Sequence, residues 1–327
     1  MKKIKLSTTG IEASRIGLGT WAIGGWMWGG SEETPAIETV QRALQEGVSL
    51  IDTAPVYGFG KSEELVGQAL QSADRDSFIL ATKVGIDWDD EENVFRNASK
   101  ERIRKEIEDS LQRLGLEYID VYQVHWPDPN VPIEETAAAM RQLYDEGLIR
   151  AIGVSNFNID QMNRFMEHAP LHTCQPPYNL FERGIESKLK PFCERNGIAL
   201  ITYGALCRGL LTGKMDENSD FEGDDLRNVD PKFQQPRYSE YLRAVGRFTD
   251  LAAKYDRSTL QLAVNWILQQ GVQVALWGAR KPSQLDDVTG ANDWMISPED
   301  MQQIEAILGE EIQNPVGPDF MAPPTRE

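Results

Sequence analysis

Four polar residues stand at or near the ends of apolar runs. Asp52 lies in VSLIDTA with Tyr57 just beyond it, Lys83 lies in FILATKV, and His125 closes IDVYQVH. A carboxylate, a phenol, an ammonium and an imidazole can together deliver a proton to an oxygen that gains negative charge. A free phenol, with a pKa of about 10, donates poorly and needs tuning. A lysine held beside it would lower that value, and a carboxylate would keep the lysine protonated and in position. The imidazole would orient the oxygen and relay a proton in the reverse direction. Each residue also has an ordinary structural explanation, as a turn cap, a snorkelling cation or a satisfied core residue. They become a site only in a fold that brings these ends together.

The order of elements along the chain supplies such a fold. KIKLSTTGIEASRIGLGT reads as a hairpin around Thr9 and Gly10 followed by an apolar strand ending at Gly19 and Thr20. A capped amphipathic stretch from Ser31 to Gly47 then precedes VSLIDTA, SEELVGQAL precedes FILATKV, and SKERIRKEIEDSLQRLG precedes IDVYQVH. In the last of these helices Ile103, Ile107, Leu111 and Leu114 share one face, with Lys, Arg and Glu on the other. The alternation runs on through IRAIGVS, TCQPPYN, IALITYGA and VQVALWGA, making eight strands counted from SRIGLGT. Strands separated by helices must run parallel, and eight such units close most economically into a (β/α)8 TIM barrel. The expectation is a single barrel domain over residues 1–327, with an N-terminal β-hairpin and an extra C-terminal helix. An open doubly wound sheet is the rival. GLGTWA matches a loose dinucleotide fingerprint, but Gly24, Gly25, Gly29 and Gly30 leave it no following helix to hold a pyrophosphate, and GFGKSE lacks the third small residue. Barrel active sites lie at the C-terminal strand ends, where Asp52, Tyr57, Lys83 and His125 would converge.

IDTAPVYG, ATKVG and VYQVHWPD, in that order, resemble the Asp, Tyr, Lys and His tetrad segments of the aldo-keto reductase superfamily. The resemblance extends through GLGTW, IRAIGVSNF, QPPYNLFER and YGALCRGLLTGK, and is nearest to bacterial members of the general-stress and inositol-operon type. It implies an NADP-dependent oxidoreductase that reduces aldehydes or ketones reversibly by direct hydride transfer, with Tyr57 as general acid and no metal. A non-catalytic NADP-sensing subunit, or a polyol or sugar dehydrogenase working toward oxidation, would share much of the same site.

The resemblance also implies a cofactor groove. Ser155, Asn156 and Gln175 match the residues that hold the nicotinamide amide, Tyr203 matches the one that stacks on the ring, and Thr20, Trp21 and Asp52 fall beside them. Ser155 and Asn156 could equally cap the helix NIDQMNRF. Gly204, Ala205, Leu206, Cys207 and Arg208 match the loop under the pyrophosphate, with Lys214 and Arg227 as further cations. Gly278, Ala279, Arg280 and Gln284 match the adenosine-phosphate end. There the family's usual arginine is replaced by Gln284, so Arg280 must carry the preference for NADP over NAD. Trp21, Trp88 and Trp126 are candidate walls for a small carbonyl substrate. The long connection Met215–Ser239, after the seventh strand, is a candidate lid, and GPDFMAPPTRE either crosses the mouth or forms a disordered tail.

The bulk properties narrow the partners. The 327 residues carry 33 Lys and Arg against 51 Asp and Glu, a formal charge of -18, with no basic run to attract nucleic acid or an anionic membrane. Three scattered cysteines, Cys174, Cys193 and Cys207, fit a reducing compartment better than a disulfide framework. Besides His125 only His168 and His172 are present, without the carboxylate or cysteine grouping of a zinc site. The start MKKIKLSTTG lacks an apolar signal core and no run is long enough to span a bilayer. The expectation is a cytoplasmic monomer.

Overall fold

In a computed structural model, which describes residues 1–326, eight parallel strands form a closed barrel. A hairpin of β1 (Lys3–Lys5) and β2 (Glu12–Ser14) precedes it. The barrel strands are β3 (Ile16–Gly19), β4 (Leu50–Asp52), β5 (Ile79–Val84), β8 (Ile119–Val124), β9 (Ile149–Ser155), β10 (Thr173–Gln175), β11 (Ala199–Thr202) and β12 (Val274–Gly278). Between β5 and β8 an antiparallel pair, β6 (Ile86–Trp88) and β7 (Val94–Arg96), stands at the rim where the sequence suggests only a loop. The outer layer includes α2 (Glu33–Gln45), α3 (Lys61–Leu70), α4 (Lys100–Leu114), α5 (Ile133–Asp145), α6 (Ile159–Met166), α7 (Leu189–Arg195), α8 (Arg237–Ala253) and α9 (Thr259–Gln269). The extra helix α10 (Pro298–Glu311) follows.

Alternation along the strands sorts the barrel interior into layers, because residues two apart face the same way. Leu50, Ala81, Val121, Ala151, Ile201, Val274 and Leu276 form an apolar interior layer, joined from below by Leu6, Ile11 and Ala13 of the hairpin. Two residues further along their strands stand Asp52, Lys83, Gln123, Gly153 and Tyr203. A polar layer therefore rests directly on an apolar one. Gly153 makes room within it, since a Cβ there would lie 2.3 Å from Thr173 Oγ1 and 2.7 Å from Gln123 Cγ.

Local signals explain some helix ends. Ser99 caps α4 by accepting from Arg102 N, and Gly115 ends it in the left-handed region at φ 66°. Ile103, Ile107 and Leu114 are buried and Leu111 is partly so, but the polar face is not wholly solvent-facing. Glu106 is fully buried and bonds Arg102 and Arg113, while Glu63 of α3 bonds Arg113 and Thr82. At α2, Ser31 provides no cap. The helix begins at Glu33, and the Ser31 hydroxyl donates to Ile23 O. A helix does follow GLGT, but α1 (Trp21–Gly24) is a single turn and ends at Gly25, with φ 83°. Among the described residues no helix is long and apolar enough to cross a membrane.

Gly24 and the turn carrying Tyr57 approach backbone to backbone. A Cβ on Gly24 would lie 2.3 Å from Tyr57 O, an atom with no freedom to withdraw, whereas Gly246 in α8 has open space around it. Gly24→Ala should therefore destabilise the fold by about 3 kcal/mol. Gly246→Ala should stabilise it by about 0.5–1 kcal/mol through helix propensity. Urea denaturation of the two variants checks the pair.

Candidate active site

The polar layer converges on the Lys83 ammonium. Its Nζ donates to Asp52 Oδ1 at 2.6 Å, to Thr53 O at 2.9 Å and to Tyr57 Oη at 3.2 Å. All three of its protons are thus used, although the side chain is completely buried. The second oxygen of Asp52 accepts from Gln175 Nε2 at 2.7 Å and from Gln123 Nε2 at 3.2 Å. Gln123 did not stand out in the sequence, where it reads as part of an apolar run. Its position two residues after Val121 and two before His125 was the available signal.

Burial and charge set the protonation states. Burial pushes the Tyr57 phenol above its usual value and Asp52 adds to this, outweighing the opposing pull of the Lys83 charge. Lys83 does lower the Tyr57 value, as the sequence suggests, but its effect is outweighed, because a buried phenolate loses more hydration than one neighbouring cation returns. Burial alone would lower Lys83, but Asp52 and Tyr57 hold it above its ordinary value, so it stays an ammonium. Burial, then the Lys83 charge, keep His125 well below the usual imidazole range. The group beside Tyr57, with ring centroids 5.8 Å apart, is therefore neutral imidazole.

Around this centre lie two joined cavities. One, of about 250 Å³, is lined by Tyr57, His125, Trp21, Trp26, Trp126 and mostly apolar neighbours from β6, β7 and the segment Phe320–Pro324. No Lys, Arg, Asp or Glu lines it. The sequence pointed to Trp21 and Trp126 here, and to Trp88. Trp88 instead packs on Phe59 at 5.6 Å and beneath the Arg102 guanidinium at 5.5 Å, against the cluster of Tyr57 and Ile86 but outside the cavity lining. Of the tail GPDFMAPPTRE, Phe320–Pro324 border the mouth of this cavity, and Glu327 lies outside the described residues.

The second cavity, of about 520 Å³, is an elongated groove from Asp52, Tyr57 and Thr20 past Gly204–Leu206 to Gly278–Arg280 and Gln284. Trp21 and Tyr203 border both cavities. Trp21 Nε1 and Trp28 Nε1 are buried donors without a protein acceptor on this groove, as expected of a place that receives a polar ligand. Ser155 and Asn156 are free of helix capping, because Asn158 and Gln161 form the box that caps α6. Ser155 Oγ donates to Gln175 O at 2.7 Å, and Asn156 links His125 O, at 2.9 Å, to the Tyr203 hydroxyl, at 3.0 Å. Asn156 does so from the left-handed region, φ 61°, which asparagine tolerates better than most residues.

Several candidate cofactor residues have other work. Cys207 is buried and does not line the groove. Arg208 touches the lining, but its guanidinium pairs with Glu182 and Asp230, both at 2.5 Å, in a buried cluster with Lys232. Gln284 turns its Oε1 back to accept from the N–H groups of Arg280 and Lys281. Arg227 is forked on Asp225 and stacks 4.1 Å over Phe221, whereas Lys214 is exposed at the groove edge. The connection after β11 does fold over the groove. Asp224 accepts from Met27 N at 2.6 Å and Gly29 N at 3.0 Å, and Leu226 N donates to Met27 O. Among the described residues no cluster of three or more His, Cys, Asp or Glu could hold a metal ion.

A parallel barrel whose strand ends join a lysine-tuned phenol to an imidazole, beside a long polar-ended groove, is the architecture of a cofactor-dependent oxidoreductase acting on carbonyl compounds. The aldo/keto reductase family model matches residues 15–309, and the chain belongs to that family. It is 58% identical over 330 residues to aldo-keto reductase YhdN of Bacillus subtilis (strain 168), covering 100% of this chain and 99% of the relative. It is 39% identical over 306 residues to the NADH-specific methylglyoxal reductase of Escherichia coli (strain K12), covering 89% and 93%. The solved glycerol dehydrogenase AKR11B4 from Gluconobacter oxydans superposes with a TM-score of 0.89 at 49% identity, covering 98% and 99% of the two chains. An aldo/keto reductase from Klebsiella pneumoniae solved with NADP and acetate gives 0.73 at 27% identity, covering 97% and 98%.

These protonation states fix a pH dependence. A proton donor whose pKa is raised keeps its proton until the pH passes that raised value. Carbonyl reduction should show no inflection at the ordinary imidazole value of 6.5 and should fall only above the ordinary phenol value of 10.0, as a pH profile of kcat would reveal.

Proposed function

We propose that this protein reduces small uncharged aldehydes and ketones to alcohols, reversibly, with Tyr57 as the proton donor and NADP as the preferred cofactor. One observation carries the reading: the buried Lys83 ammonium joins Asp52 to the Tyr57 hydroxyl at the floor where both cavities meet. When bound, NADPH supplies the hydride. As negative charge grows on the carbonyl oxygen, Tyr57 passes its proton there, and the adjacent ammonium stabilises the phenolate left behind. Neutral His125 holds the oxygen by a hydrogen bond. The apolar cavity walls favour substrates without charged groups, because a carboxylate or phosphate would be buried there without a partner. Ser155, Asn156, Gln175 and Tyr203 would hold the nicotinamide, since their polar and aromatic groups line the first cavity beside Tyr57, and Tyr203 borders the groove as well.

The preference for NADP rests on Arg280 and, by likeness, on the Klebsiella enzyme solved with NADP. Asp286 and Asp287 also line that end of the groove and oppose a second phosphate, while a relative is named NADH-specific. Arg280 is therefore the deciding cation. The chain works on this reading as one barrel domain, a monomer in the cytoplasm, with neither nucleic acid nor membrane as a partner. Its formal net charge of -18 supports the last two points.

Tyr57→Phe should lower kcat for an aldehyde by at least about a hundredfold with cofactor affinity unchanged, measured by NADPH oxidation and fluorescence titration. Retention of most turnover would overturn the assignment. Arg280→Ala should weaken NADPH by about tenfold more than it weakens NADH, which loses only the anchor on Trp28 and Gly30. An unchanged affinity ratio would refute the role given to Arg280.

A further inference from the structure

The outer wall of the substrate cavity is made by Phe320, Met321, Ala322, Pro323 and Pro324. Within it, Asp319–Met321 forms one short helical turn. Phe320 faces the Arg208 and Lys232 cations at 5.7 and 5.9 Å, and this fixes the side of the wall nearest the groove. On the other side Pro323 and Pro324 have no backbone N–H and offer only carbonyl oxygens. That side must be held by donors from elsewhere.

Arg96, the last residue of β7, supplies them. Its Nε donates to Pro323 O at 2.9 Å and its backbone N to Pro324 O at 3.0 Å, with a bridge to Thr325 beyond. Its Nη1 donates to Pro127 O at 3.1 Å, and the guanidinium lies 5.1 Å over the Trp126 ring. Trp126 adjoins His125 and also lines the cavity, as do Ile86 and Val94 of the same β6–β7 pair. One planar fork therefore ties the wall, the rim hairpin and the loop after β8 together. Asn130 Nδ2 holds Arg326 O at 2.9 Å, but beyond the residues that form the wall.

We propose that Arg96 is a positioning residue that latches the segment Phe320–Pro324 against the rim and thereby sets the size of carbonyl substrate that is bound productively. It is not itself among the residues that line the cavity and acts only through those that do, Pro323, Pro324 and Trp126. With the latch in place a small aldehyde meets the apolar wall of Phe320–Pro324 on the outer side of the cavity. With it released, the apolar wall withdraws, small substrates lose contact, and larger ones gain room. A lysine cannot replace it, since an ammonium lacks the fixed fork that reaches two carbonyls in different directions.

The inference rests on the proposed carbonyl reduction for its kinetic test but not for its structural one. Arg96→Ala and Arg96→Lys would be compared with the parent protein using propanal, benzaldehyde and 2-naphthaldehyde, alongside NADPH titration and hydrogen exchange by mass spectrometry. In both variants KM for propanal should rise about tenfold, the equivalent of one charge-assisted hydrogen bond, while KM for 2-naphthaldehyde is unchanged or falls. kcat should stay within about twofold and NADPH affinity should be constant. Faster exchange should be confined to residues 318–326 and to position 96. The proposal is overturned by an unchanged ratio of the two KM values, by restoration of the parent ratio in Arg96→Lys, or by accelerated exchange across the whole barrel. Should Arg96→Ala fail to fold, Arg96→Lys carries the same comparison alone. If the parent protein reduced none of the aldehydes, the proposed reaction would fail, and the exchange pattern would still decide whether Arg96 is the latch.

Discussion

The ion pair between Lys83 and Asp52 governs the upper half of the barrel. Both groups are almost wholly removed from water, which costs several kcal/mol for each ion. That cost is offset only because each polar atom has a partner. Thr53 O and Tyr57 Oη complete the ammonium, and Gln123 with Gln175 complete the carboxylate. The partners come from β4, the turn after it, β5, β8 and β10. A register slip in any of these strands would turn its side chain outward and leave a buried charge unmet. The site is therefore also a structural constraint, and its geometry is held by more than the packing of its neighbours.

A second buried charge cluster has a different task. Glu182 accepts from Arg208 and Lys232, which hold its carboxyl below its usual value against the effect of burial. Arg208 reaches Asp230 as well, so the connection after β11 is tied to the loop that borders the groove. Across the mouth, Asp224 grips Met27 and Gly29 while Arg280 donates to Trp28 O and Gly30 O at 2.7 and 2.8 Å. Charged side chains hold these loops by their backbones. In the segment 24–30 Trp26 and Trp28 pack on Phe59 and Trp21, while its four glycines leave the backbone free, and external donors and acceptors fix that backbone.

The repeating order of helix and strand was legible because period-2 and period-3.6 patterns are local, and the eight strands are where they are expected, whereas Ser31, Ser155 and Asn156 do not cap the helices beside them. Asp52, Tyr57, Lys83 and His125 were legible as well, because polar residues at the ends of buried strands stand out from their surroundings. Gln123 was hidden by the same logic, as one polar residue inside an apolar run. Cys207, Arg208, Gln284 and Trp88 were drawn toward the ligand by their place in the chain, and their side chains turn to other partners. The β6–β7 pair escaped notice since IDW and VFR are too short to show alternation.

Sequence by itself determined the class of fold and the four groups at its mouth, since both follow from residue types and short spacings that act along the chain. Tertiary structure alone decided the state of those groups and the shape of what they serve. Tyr57 is held above its ordinary pKa because burial outweighs one neighbouring cation, a balance set by how completely the surrounding loops exclude water. The substrate wall depends on Arg96 meeting Pro323, residues 227 positions apart. Hydration and contacts of that range arise only when the chain has closed on itself, so no local pattern encodes them.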